Sequence, residues 1–341
     1  EWEDDSWLSN IIGPERLAHG DEFGCHGYEG VDIAEEPWVI GACRDYIVEF
    51  TNASRWDSHP ISFGVPGQQL DEVTATALIE AGFEIVGDLL TEAPEGLTAM
   101  TRNGGSLEQG IADRELLESI EENTLVSIYW EARKDDLKLR EDEGVMSWLE
   151  QQDVWFTTWG EWHHHRMSGN EVVVTVEGST ITATLQNQSS WAVPGTVRLQ
   201  FDRGVVRVTD SSGIDLMVIE VDQRNLLAGW SETADVLLLT IEPGTTAFIE
   251  LDGEPNSTLP TPQVTFNRLH HAVTVVGHHT TNLFQWSSDF QNSDLVFTWL
   301  IERPADIEMN WALPVIAAAV LIAVPVSINY LVKRDRRELS E

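Results

Sequence analysis

The residues able to do chemistry in this chain are few and widely spaced. The densest group is Gly20-Asp-Glu-Phe-Gly-Cys-His-Gly-Tyr-Glu-Gly30, a glycine-rich turn around one histidine, His26. The other histidines come in runs, His163-His-His165, His270-His271 and His278-His279. Consecutive helical residues point about 100° apart, so the triple cannot converge on one metal and reads as a solvated helix end. The two pairs fall in a β region. On adjacent strands two of the four would face each other across the ladder as a metal or pH-responsive site; otherwise they are exposed loop residues. Of the 14 tryptophans, Trp155, Trp159, Trp162, Trp286 and Trp299 either stack on sugar rings or pack a core. The sequence contains no nucleophile elbow, phosphate-binding loop, dinucleotide fingerprint, zinc-protease helix or cysteine-based metal motif.

Residues 1–168 alternate helical and strand-like patterns. Helical spacing runs over Glu36–Ala53, Leu70–Ala81 (stopped by Gly82), Ala112–Glu122 and Asp142–Gln152, and a last helix begins near Gly160. Apolar runs at Pro60–Pro66, Phe83–Gly87, Thr124–Trp130 and Val154–Thr158 read as strands. Alternation of this kind implies a parallel sheet or barrel. From Glu171 the period changes to two, and seven short strands over 169–253 predict an immunoglobulin-like β-sandwich. Residues 254–263 read as a linker and 264–308 as a membrane-proximal β segment. Trp311–Val332 carries no charge and is long enough to cross a bilayer as one helix, with Lys333, Arg334, Arg336 and Arg337 in a short cytoplasmic tail, 333–341. The expected fold class is therefore multidomain α/β plus all-β: a (β/α) barrel, a sandwich and a single transmembrane helix. The expected location is the cell membrane, single-pass, with the N-terminal ectodomain outside. That orientation requires a signal peptide, so sequence upstream of Glu1 is expected to have been removed.

The formal charge of the 341 residues is −37, from 57 acids against 20 bases. Such a field disfavours nucleic-acid partners and anionic lipid. The acids are spread through a chain that is 42% hydrophobic, which argues for a folded protein with an acidic surface. Cys25 and Cys43 are 18 residues apart. Outside the cytoplasm they form a disulfide; the alternative is two free buried thiols. Sequons at Asn52, Asn187 and Asn256 are glycosylation candidates.

Taken in order, several motifs resemble those of the polysaccharide deacetylases, the NodB-homology family. Gly20–Gly30 is similar to the family's second motif. Ile61-Ser-Phe-Gly-Val-Pro-Gly67 is similar to its F-R-x-P strand, Leu78–Asp88 to the helix and strand that follow, and Met146–Glu161 to its closing strand and helix. The resemblance covers roughly residues 15–165. It implies a divalent metal, usually zinc, held by one aspartate and two histidines, and hydrolysis of an acetamide in N-acetylated glycans. Carried over residue by residue, His26 becomes a metal ligand and Asp88 the catalytic carboxylate. Three positions depart from the pattern. Gly30 stands where the second histidine would be, Gly64 where the arginine would be, and Val126-Ser-Ile-Tyr-Trp130 lacks the late histidine. The family's aspartate pair should precede His26 by about a strand, a helix and another strand; Asp4 and Asp5 are too close, so the pair is expected either in removed upstream sequence or to have been lost. The resemblance thus supports two expectations, a membrane-anchored deacetylase acting on surface glycans, or a catalytically inactive structural or glycan-binding module in which His26 merely packs at the barrel mouth.

Overall fold

The apolar runs of the first half pair side by side, all pointing one way. The computed structural model describes residues 13–28, 30–65, 67, 69–105, 124–131, 143–233, 236–269, 271–278, 293–303 and 324–325. The first elements are α1 (Gly13–His19), β1 (Glu22–Tyr28), α2 (Trp38–Phe50), β2 (Ser62–Val65), α3 (Glu72–Glu80), β3 (Ile85–Asp88) and β4 (Thr98–Thr101). They are followed by β5 (Leu125–Glu131), α4 (Glu143–Leu149), β6 (Trp155–Phe156) and α5 (Trp159–Glu171). Next come β7 (Val173–Glu177), β8 (Thr180–Thr184), β9 (Gly195–Gln200), β10 (Val205–Asp210), β11 (Gly229–Thr233), β12 (Val236–Ile241), β13 (Thr246–Leu251) and β14 (Leu259–Pro262). Last are β15 (Ala272–His278) and β16 (Phe297–Arg303).

The strand order of the large sheet is β4-β3-β2-β1-β16-β15-β5, with β6 against the start of β15. Every pair in it is parallel. The sheet curves as a half-barrel. Strands covered on both faces need apolar side chains throughout, which is why Phe23, Cys25, Phe63, Ile85, Val275 and Phe297 are all buried. Helix α5 is tied to this sheet at its N-terminus. Its cap, Thr158, accepts from the Glu161 N–H, the Trp159 N–H donates to Thr298 Oγ1, and the Gly160 N–H donates to Glu22. A disulfide joins Cys25 of β1 to Cys43 of α2, with Cα atoms 6.0 Å apart.

After α5 the chain leaves the half-barrel for two four-stranded antiparallel sheets, β10-β13-β8-β7 and β11-β12-β9-β14. Ile181, Leu199, Leu239 and Ile249 draw both sheets into one apolar core. The chain then returns. The stretch 264–308, set apart in the sequence reading as a membrane-proximal segment, supplies β15 and β16, which lie between β1 and β5 in the large sheet. The supposed linker 254–263 contains β14, which pairs with β9. The two domains are therefore nested, not consecutive: the sandwich is an insertion in the α/β unit.

The expected transmembrane helix, and with it the single-pass membrane location, is corrected. Among the described residues no helix is long and apolar enough to cross a membrane. Of Trp311–Val332, all but 324–325 lie outside the described residues, as do the expected helix Ala112–Glu122, the tail 333–341, Trp286, His270 and His279.

Candidate metal centre

Because the large sheet is parallel, the C-terminal ends of its strands share one edge, and side chains distant in sequence meet there. His26 lies near the end of β1, Asp88 ends β3, Arg102 follows β4, Tyr129 is near the end of β5, His278 ends β15 and Glu302 is near the end of β16. A β-bulge sets His26. Cys25 pairs with Ile301 and Gly27 with Glu302, so His26 is the extra residue. A bulge of this kind re-aims a side chain at the sheet's rim. Gly27 accepts the turn, with φ of 87°, a conformation that disfavours any residue with a Cβ. Gly64 on the neighbouring strand clears the space, since a Cβ there would lie 2.3 Å from His26 Cδ2.

The groups are close. His26 Nε2 is 3.3 Å from Asp88 Oδ2, and its Nδ1 is 3.6 Å from Glu302 Oε1. His278 Nε2 is 3.2 Å from Glu302 Oε2, and His278 Nδ1 is 2.8 Å from the Tyr129 hydroxyl. The two imidazoles overlap, with ring centroids 3.8 Å apart. Arg102 pairs with Asp88 Oδ1, and its guanidinium lies 3.3 Å over the Tyr129 ring. His26 and Asp88 are buried, at 4% and 3% exposure. Burial pushes the Glu302 carboxyl up, but the contacts from His26 and His278 outweigh it and hold the group well below the usual carboxylate range.

His26, Asp88 and His278 each offer one ligand atom within 4.8 Å of the other two. A tetrahedral ion with bonds of about 2.0–2.1 Å requires donors about 3.3 Å apart. The His26–Asp88 separation of 3.3 Å meets that requirement. The donor set, two imidazoles and a carboxylate, suits zinc and its neighbours. Glu302 lies against His26 Nδ1, the place of an outer carboxylate that orients a ligating histidine, and against His278 Nε2 at the cluster itself. Beside the cluster opens a cleft of about 510 Å³ lined by His26, Tyr28, Asp32, Gln69, Asp71 and Glu302. Trp38, 56% exposed, lies against Tyr28 with ring centroids 5.4 Å apart.

The sequence reading marked His26 and Asp88, and the fold brings them together. It missed His278, Glu302, Arg102 and Tyr129. His278 is one of four β-region histidines, and Glu302 falls in the stretch 264–308 expected as a membrane-proximal β segment. Tyr129 stands in the strand where a late histidine was sought. Other expectations land elsewhere. Trp155, Trp159, Trp162 and Trp299 are buried core residues and line no sugar groove. His164 and His165 are buried, so the histidine triple is not a solvated helix end. Asn52, Asn187 and Asn256 are exposed. No family model, no curated protein and no solved structure matches the chain.

Proposed function

We propose that the chain is a divalent-metal-dependent hydrolase that removes acetyl groups from N-acetylated glycans. The observation that carries this reading is the meeting of one aspartate and two histidines, Asp88, His26 and His278, at the mouth of a parallel half-barrel. That is the ligand composition implied by the deacetylase resemblance, with the second histidine supplied by β15 and not by the turn after β1. A bound divalent ion supplies Lewis acidity toward an amide carbonyl and toward water. Glu302 Oε1, 3.6 Å from His26 Nδ1, stands where an outer carboxylate would orient that imidazole while its Nε2 faces Asp88. The Tyr129 hydroxyl, 2.8 Å from His278 Nδ1, occupies that nitrogen and leaves Nε2 toward the cluster; metal ligation through Nε2 requires the tautomer in which Nδ1–H donates to the hydroxyl. The cleft volume suits a sugar unit, and exposed Trp38 beside it offers a stacking face.

The test is zinc content and acetate release from N-acetylglucosamine oligomers. Acetate release is expected from the wild type, with both zinc and activity at this centre lost in His26→Ala and in His278→Ala. Glu302→Gln should lower activity by roughly 10- to 100-fold. Unchanged acetate release in both histidine variants would sink the proposal. A second reading, a glycan-binding module without catalysis, draws on Arg102, whose guanidinium already supplies positive charge to Asp88. It calls for glycan binding that survives chelators, with no acetate released.

A further inference from the structure

A second cluster lies at the start of β3, the opposite end of that strand from Asp88. Glu84 immediately precedes β3, and its backbone is fixed on both sides of the sheet. Its N–H donates to Ile61 O at 2.9 Å and its carbonyl accepts from Thr98 N–H at 2.8 Å. Over it lies α5. His163 Nε2 is 3.6 Å and His164 Nε2 is 3.2 Å from the same oxygen, Glu84 Oε2. All three donor atoms fall within 4.8 Å of one another. The 100° between neighbouring helical residues leaves two imidazoles splayed, and Glu84 rises between them. His165, the third of the run, turns away and donates from Nδ1 to Pro194 O.

Three features separate this cluster from a surface ion pair. First, the His164 side chain is only 7% exposed, yet its Nε2 makes no hydrogen bond despite its nearness to Glu84. Second, its ring is locked: it stacks on Trp191 at 5.6 Å and 16°, and Trp191 is itself held by Nε1–H donating to His59 O. Third, the separations of 3.2 and 3.6 Å bracket the donor spacing of about 3.3 Å around a tetrahedral ion. His163 and Glu84 are partly exposed, which leaves a solvent approach for the remaining coordination position.

We infer that Glu84, His163 and His164 form a second divalent-metal site, of zinc class, that fastens α5 to the start of β3. Its function is structural. Helix α5 lies between the parallel sheet, which it touches at Thr298 and Glu22, and strands β9 and β14 of the inserted sandwich. An ion on Glu84 therefore ties the inserted domain's supporting helix to the sheet.

The experiment separates this site from the first. The full chain carrying His26→Ala and His278→Ala is titrated with zinc alone, with metal content measured after gel filtration. About one zinc per chain is expected, with a rise on the order of 5 °C in the thermal midpoint at saturation. Cobalt substitution should give the absorption bands of a tetrahedral ion. Adding Glu84→Gln, or in a separate protein His163→Asn, should abolish both the binding and the rise while leaving the circular dichroism unchanged. Two partly exposed positions are used so that one folded variant suffices. Absence of zinc from the double-alanine background, or retention of zinc with Glu84→Gln and His163→Asn, overturns the inference. Neither result bears on acetate release, which reports on the first centre.

Discussion

At the scale of single residues, the centre depends on what is missing as much as on what is present. His26 occupies the volume a side chain at position 64 would need, and the same Cβ would also come within 2.7 Å of Leu300 Cδ1. Gly64→Ala should therefore displace the His26 ring. A cost of about 1–3 kcal/mol in urea unfolding is expected, with weaker zinc binding at the centre. Gly41→Ala is the control. That helical position has open space around it, and the change should stabilise by up to about 1 kcal/mol with zinc binding untouched. If Gly64→Ala binds zinc as the wild type does, the ring is not held where described. Arg102, just past β4, pairs with Asp88 at the end of β3. That pairing was not legible, because it depends on the register of β3 against β4 and not on any local pattern. His278 left one trace, a histidine after glycine at the end of a buried run, as in β15's Val-Val-Gly-His.

At the scale of elements, the parallel strands were legible because burial on both faces leaves an apolar signature, and the sandwich strands because alternation does. What was not legible was adjacency. Sequence order set β15 and β16 beside the sandwich, whereas the sheet sets them between β1 and β5. Helix α5 misled for a different reason. Its sequence, WGEWHHHRMSGNE, has no apolar stripe, yet much of it is buried, because its polar groups find partners across the layers. Glu161 accepts from Arg55 and from Trp56 Nε1–H, each at 2.8 Å, and Ser168 Oγ–H donates to Val193 O at 2.7 Å. The disulfide belongs to this scale as well. It ties α2 to β1 one residue before His26 and closes a separation of 18 residues. A loop of that size contributes about 3 kcal/mol in the chain-entropy account. The double change Cys25→Ser and Cys43→Ser should lower unfolding stability by about 2–4 kcal/mol. An unchanged denaturation midpoint would mean that the link adds nothing to the folded chain.

At the scale of the whole molecule, stability against acid is a contest of opposite signs. Burial raises the carboxyls of Asp21 and Glu22, so each favours the folded state at low pH and loses that contribution as pH rises through its raised value. Glu302 and Glu84 are lowered and act in reverse. Their contribution is present above about 4.5 and is lost as pH falls. His165 works in a separate window. Burial pushes it from 6.5 down to about 4, against the hydrogen bond to Pro194 that favours the charged ring. The unfolded chain takes up this proton first, so the folded state loses ground from pH 6.5 to about 4. The acidic surface and the buried carboxyls affect wild type and His165→Gln alike, so the difference between the two proteins isolates the one ring. Between pH 7 and pH 4.5 the wild type should lose about 2.5 kcal/mol more unfolding free energy than the variant in parallel urea titrations. The glutamine amide keeps a donor for Pro194 O, which removes the trivial explanation of a lost hydrogen bond. Equal losses in both proteins would mean that His165 carries its proton in the fold, and that the layer between sheet and sandwich admits charge.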